Sequence, residues 1–224
     1  MTSPIILATQ VLDDYATSVL ASFAPLHIAS NMQEATLCQE IQNAIGLVVR
    51  GQAPITAAVI DAAPHLKVIG RTGVGYDNID IAAATRRGIP VVYTPGVGAR
   101  AVAEATLGFM LALCKLITYW DRELKAGNWH ARYQTQGRDL DGKTLGIIGL
   151  GRIGKLVADM ARPFNMRVVA FDPYIDPSVG AAHGVEMLPM NSVLQEADFL
   201  TLHCPQNDET RGFIDRARLE MRSE

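Results

Sequence analysis

Short apolar, β-branched runs alternate with segments of helical periodicity from one end of the chain to the other. The runs are "IILAT" (5–9), "HIAS" (27–30), "GLVVR" (46–50), "KVIGR" (67–71) and "VVY" (91–93). After a gap come "LGIIGL" (145–150), "RVVAF" (167–171), "VEML" (185–188) and "FLTLHC" (199–204). They are apolar throughout rather than alternating, as strands are when a parallel sheet is covered by helices on both faces. Amphipathic segments at 11–23, 33–43, 55–63 and 79–87 separate the first five. The last has end signals: Asn78 as N-cap, Asp80 in the first turn, Arg86 and Arg87 in the last, then Gly88. Repeated strand–helix–strand order predicts a doubly wound α/β architecture.

The gap, 99–143, opens with "ARAVAEATLGFMLALCKLITYW", which is apolar on most sides and is expected to be a buried helix crossing between two α/β domains. Its polar, turn-rich continuation, "DRELKAGNWHARYQTQGRDLDGK", is expected to be an arm over a neighbouring surface. The domains so predicted are 1–98 and 99–224.

Composition narrows the picture. Over 224 residues, 49% hydrophobic and 19% charged residues suit a globular protein with real cores and argue against disorder. A net charge of −3 without a block of like charge gives no footprint for nucleic acid or an anionic membrane. The start, "MTSPIILATQ", lacks a basic n-region, and the longest apolar stretch, "TLGFMLALC" (106–114), is far below the roughly 20 residues of a membrane span. Cys38, Cys114 and Cys204 are scattered and form no CxxC, so reduced thiols are expected and a metal site is not. A cytoplasmic protein is the expectation.

Three stretches carry candidate chemistry. In "TLGIIGLGRIGKLVADM" (144–160), Gly149, Gly151 and Gly154 form G-x-G-x-x-G directly after a strand. The first permits a tight turn, the second lets backbone approach a pyrophosphate, and the third lets the helix pack close on the strand. The helix N-terminus then meets the phosphates with its free N–H groups and positive dipole end. On that helix Ile153, Leu156, Val157, Met160, Ala161 and Phe164 form the apolar face. The next strand ends in Asp172, 18 residues after Gly154, where a carboxylate would meet the adenosine ribose. A lone glycine triplet is an ordinary turn; the strand, turn, helix, strand and acid together predict dinucleotide binding.

The second stretch is "GRTGVGYDNID" (70–80), whose backbone around Val74 and Gly75 could cradle a small anion. Arg50, ending "GLVVR", belongs to the same carboxyl edge of the first sheet, where ligands of parallel sheets bind. The third is "HCPQNDET" (203–210), after the fourth strand of the second domain. In a sheet of order 3-2-1-4 that loop flanks the switch-point crevice. His203 is read as packing beside a cofactor without proton transfer, and His27, His65, His130 and His183 as structural or exposed.

These stretches resemble the D-isomer-specific 2-hydroxyacid dehydrogenases, the family that includes phosphoglycerate dehydrogenase and hydroxypyruvate reductase. The resemblance runs through "VVRGQAPIT", "HLKVIGRTGVGYDNID", "GIPVVYTPG", "AVAEATL", "LDGKTLGIIGLGRIG" and "ADFLTLHCP". It implies a flavodoxin-like substrate domain, a partial Rossmann NAD-binding domain, and a homodimer formed through the second. It also implies substrate contacts at Arg50, Gly51, Val74 and Gly75. Cofactor contacts would fall on Gly149, Leu150, Gly151, Arg152, Ile153, Gly154, Asp172, His203, Cys204, Pro205 and Thr210. After Arg50 the chain reads "GQAP" where phosphoglycerate-type members carry hydroxyl and basic residues, which leaves the substrate acid open. Gly98 stands where asparagine is common, and "QND" replaces the usual "LT" dipeptide before Thr210.

By the same resemblance, the family's catalytic Arg, Glu and His would lie beyond Glu224. The implied activity is NAD-dependent hydride transfer at C2 of a small 2-hydroxy or 2-oxo acid. The alternative is a non-catalytic NAD-binding or regulatory module. The 224-residue chain is expected to be an enzyme sequence cut short, inactive by itself.

Overall fold

All nine apolar runs are strands, arranged in two parallel sheets in a computed structural model that describes residues 3–221. The chain divides into two compact units, Met1–Val97 and Gly98–Glu224.

The first unit holds β1 (Ile5–Ala8), β2 (Leu26–Ile28), β3 (Ala44–Val49), β4 (Val68–Arg71) and β5 (Val91–Val92) in the order β2-β1-β3-β4-β5. The helices are α1 (Asp14–Ala21), α2 (Glu34–Glu40), α3 (Ala57–Asp61) and α4 (Ile81–Arg86). Register puts Leu7 beside Leu47 and Leu47 beside Ile69, so an apolar row crosses the sheet. Leu37, Ile41, Val59 and Ile60, all fully buried, belong to the same core.

One expectation about α4 is corrected. Its N-cap is Asp80, whose carboxylate accepts from the Ala83 N–H at 2.8 Å, and not Asn78. Asn78 is diverted because it lies in a turn closed by the Ile79 N–H on the Tyr76 carbonyl, and Ile79 then pairs with Ile55 in an isolated bridge, which delays the helix to Ile81.

The second unit's sheet has β6 (Thr144–Ile148), β7 (Arg167–Phe171), β8 (Glu186–Met187) and β9 (Phe199–Leu202) in the order β8-β7-β6-β9, the predicted 3-2-1-4. Its helices are α5 (Ala99–Cys114), α6 (Ile117–Lys125), α7 (Arg152–Ala161), α8 (Pro177–Ala182), α9 (Met190–Glu196) and α10 (Arg216–Leu219). Phe164 lies outside α7 in a 3-10 turn and is exposed, unlike the other apolar residues read onto that face.

The single buried helix expected over 99–120 is also corrected. It is two helices bent by 58°. Leu116 takes left-handed backbone (φ 54°) at the break. The carbonyl of Cys114 accepts from the Arg138 N–H at 2.6 Å, so a returning segment satisfies the end of α5. Lys115 pairs with Asp139 beside it. The second half of the expected arm therefore packs on its own unit. Only one stripe of α5 is buried: Ala99, Ala103, Leu107, Met110 and Cys114. Val102, Phe109 and Leu113, on another side, are exposed. No single helix among the described residues is long and apolar enough to cross a membrane.

Candidate functional site

The three glycines of the β6–α7 turn differ in what surrounds them. Gly149 has φ +94°, and a Cβ there would lie 2.6 Å from the Cys204 nitrogen, so the turn presses against the chain leaving β9. A Cβ on Gly154 would lie 2.3 Å from the Gly149 carbonyl oxygen and 3.3 Å from Ile147, which is the close helix–strand contact. Gly151 has nothing within 4 Å of that position. It is the N-cap of α7 and offers no side chain to the first turn, so the N–H groups there remain for a ligand. The sharp turn, the open position and the close packing thus fall on separate glycines.

Asp172, at the carboxyl end of β7, is held on both oxygens. Oδ2 accepts from the Leu150 N–H at 2.8 Å and Oδ1 from the Tyr174 N–H at 2.9 Å. A carboxylate has about four acceptor positions, so it retains capacity for hydroxyl donors. Arg152 and Ile153 form the first turn of α7, Arg152 exposed and Ile153 against the core.

After β9, His203 is half-buried, with Nε2 2.9 Å from Thr201 Oγ1. Burial lowers its pKa from 6.5, which favours the neutral ring. That suits packing more than proton donation. Burial raises the Cys204 thiol pKa, with a smaller opposing hydrogen bond from its own backbone and a further rise from Asp172. Cys204 is therefore a thiol. The Thr210 hydroxyl donates to the Pro205 carbonyl at 2.6 Å and closes the 205–210 loop.

In the first unit, Arg50, Arg71 and Tyr93 lie at the carboxyl ends of β3, β4 and β5, along one sheet edge. Arg50 is exposed, and its Nη1 donates to the Val11 carbonyl at 2.5 Å. Gly51, at φ +73°, abuts the Gln10 side chain. Among the described residues, the N–H groups of Val74 and Gly75 donate to no protein acceptor. They are available to an anion.

Sequence reasoning missed what shapes this loop. Arg71 Nε donates to the Gly75 carbonyl at 2.7 Å and Nη1 to the Val49 carbonyl at 3.3 Å, folding residues 71–75 around the guanidinium. Asn78 Nδ2 donates to the Ala53 carbonyl at 2.7 Å, tying the loop after Arg50 to the loop after β4, while its buried Oδ1 has no hydrogen bond. Tyr76 and Tyr93 meet edge-to-face at 5.2 Å, both partly exposed. An arginine one turn ahead of a glycine-rich loop was a visible signal for Arg71. The contacts of Asn78 and the tyrosine pair are long-range and left none.

The model of the D-isomer specific 2-hydroxyacid dehydrogenase NAD binding domain matches residues 107–224. The chain belongs to that family. It is 42% identical over 217 residues to D-3-phosphoglycerate dehydrogenase of Methanocaldococcus jannaschii, covering 96% of this chain and 41% of the relative. It thus spans about two fifths of that relative's length. The TT0316 protein of Thermus thermophilus superposes with a TM-score of 0.87 at 34% identity, over 97% of this chain and 70% of the other. D-lactate dehydrogenase from Aquifex aeolicus, solved with NAD and lactic acid, superposes with a TM-score of 0.88 at 26% identity, over 97% and 66%. The α/β class, with a Rossmann-type second sheet, agrees with these neighbours.

Proposed function

We propose that this chain is the substrate- and cofactor-binding part of an NAD-dependent oxidoreductase. Hydride would pass between the nicotinamide and C2 of a small D-2-hydroxy or 2-oxo acid. The observation that carries the reading is the β6–α7 turn: an open Gly151 before an uncapped helix N-terminus, with Asp172 locked to the turn at Leu150. Those residues fit a dinucleotide. Gly149, Leu150, Gly151, Arg152, Ile153 and Gly154 would hold the pyrophosphate and Asp172 the ribose. His203, Cys204, Pro205 and Thr210 would flank the crevice, His203 as a neutral wall. The bound nicotinamide supplies the carbon that gives or takes hydride. In this assignment 99–224 is the NAD-binding domain and 1–98 the substrate domain.

On the substrate side, Arg50 and the free N–H groups of Val74 and Gly75 would bind and orient the carboxylate, with Gly51 letting the chain turn beside it. A pure NAD sensor has no need of that cradle, so its presence favours an enzyme over a regulatory module. The exposed Val102, Phe109 and Leu113 of α5 support a homodimer formed through the second unit. Titration of the purified protein with NADH, then with glyoxylate, hydroxypyruvate and pyruvate, tests the reading by nicotinamide fluorescence. Saturable NADH binding that a 2-oxo acid perturbs is the expected result, and an absence of NADH binding rejects it.

A further inference from the structure

We propose that Tyr174 and Glu209 form a clasp over the adenosine end of the cofactor crevice, and that Glu209 is a second residue selecting against a phosphorylated ribose. The Tyr174 side chain is 79% exposed, yet its phenol donates to Glu209 Oε2 at 3.0 Å, across 35 residues of sequence. Tyr174 belongs to the loop after β7 and Glu209 to the loop after β9. In the order β8-β7-β6-β9 those strands stand on either side of β6. The bond therefore joins the two loops that border the glycine turn at the carboxyl end of β6.

Both ends of the clasp are fixed. The Tyr174 N–H donates to Asp172, and Asp172 accepts from Leu150 within the turn itself. The Glu209 N–H donates to Asn207 Oδ1 at 3.0 Å, and Asn207 is bonded in turn to Thr210. These bonds hold the loop backbones from which the two side chains reach toward each other. The Glu209 hydrogen bond and charge, with a lesser push from Asp172, raise the Tyr174 pKa, so the phenol stays a donor. Among the described residues neither Asp172 nor Glu209 is neutralised by an ion pair. A 2′-phosphate beside them would meet two negative charges.

The inference rests on the cofactor reading above, and one set of titrations separates the two. NADH and NADPH affinities are measured on the purified protein and on Tyr174→Phe, Glu209→Ala and the double variant, with a thermal melt of each. Each single change is expected to weaken NADH binding about three- to tenfold, as the loss of one hydrogen bond does. The double variant should lose no more than either alone, because both remove the same bond. Glu209→Ala, unlike Tyr174→Phe, should also narrow the NADH-to-NADPH ratio about threefold or more. Unchanged NADH affinity in both single variants would make the bond a surface contact only and overturn the clasp. Tighter NADH binding would make it a bar across the slot and overturn it equally. If the unaltered protein binds no NADH, the cofactor reading itself fails and the clasp falls with it.

Discussion

The Leu150 N–H donates to Asp172 Oδ2 at 2.8 Å, so the residue proposed to read the ribose is fastened to the turn proposed to hold the pyrophosphate. A 2′-phosphate beside that carboxylate would be repelled by about 1–4 kcal/mol at roughly 4 Å, for effective dielectrics between those of water and a protein surface. NADH should bind about fivefold to several-hundredfold more tightly than NADPH. Asp172→Asn, which keeps an acceptor for Leu150 and removes the charge, should narrow that gap while leaving the melt nearly unchanged. Calorimetry with both nucleotides checks it, and equal affinities in the unaltered protein would refute it.

Gly151 and Gly154 should respond oppositely to alanine. A methyl at 154 would lie 2.3 Å from a backbone oxygen. Gly154→Ala should therefore destabilise the second unit by about 1–3 kcal/mol, seen as a lowered melting temperature. Gly151→Ala has open space and ordinary φ, so its melt should be unchanged. Its methyl would stand where the pyrophosphate approaches, and NADH affinity should drop at least tenfold.

Arg50 is the residue proposed to take the substrate's carboxylate. Arg50→Ala should raise KM or Kd for the best 2-oxo acid roughly ten- to over a hundredfold, since a charge-assisted bond is worth about 1.5–3 kcal/mol. NADH affinity should not change. An acid that binds equally well to the variant would reduce Arg50 to a surface charge tied to Val11.

His203 carries a pH signature. Its folded pKa is lowered by burial, so below about 6.5 the unfolded chain takes up a proton that the folded chain resists. That contribution to stability is present above this range and lost as pH falls through it. The melting temperature should fall on acidification from about pH 8 to about pH 5.5, where histidines titrate. The fall should be smaller in His203→Gln. Identical pH profiles would mean that the ring protonates freely in the fold.

Phe109 and Leu113 are 71% and 69% exposed on α5. Burial of such a side chain is worth about 1.5–3 kcal/mol, and a twofold interface counts each change twice. Phe109→Asp with Leu113→Asp should weaken a dimer by several hundredfold or more without disturbing the stripe that faces the core. Sedimentation of both forms checks it. A monomeric parent at high concentration would dismiss the interface.

Most of the architecture was legible because it rests on local periodicity and glycine spacing. Nine apolar runs are nine strands, and the 3-2-1-4 order is the doubly wound pattern that the glycine turn and the following acid announce. What was not legible depended on partners distant in sequence. The cap shifted from Asn78 to Asp80 because Ile55 captures Ile79, 24 residues away. The helix over 99–120 broke at Leu116, where Arg138 returns to cap Cys114. The exposed side of α5 reads in sequence like a buried one, since an apolar face carries no label saying what covers it. At the candidate site, the glycine turn and the acid ending the next strand were legible from spacing, and Arg71 from its place beside the loop, while Asn78 and the tyrosine pair act through contacts that no short window contains.

The order β8-β7-β6-β9 also sets a timetable for synthesis. β6 ends at Ile148, but its second neighbour begins only at Phe199, 51 residues later. At about 5–20 residues per second, the ribosome needs roughly 3–10 s to cover that interval. Throughout it, one edge of β6, the most buried strand of the second unit, has no β9 to pair with. The first unit, whose central strands β1 and β3 are paired on both sides once β4 ends at Arg71, would by then be closed. Ribosome-bound chaperones that recognise extended apolar segments have their longest opportunity on this protein between residues 148 and 199.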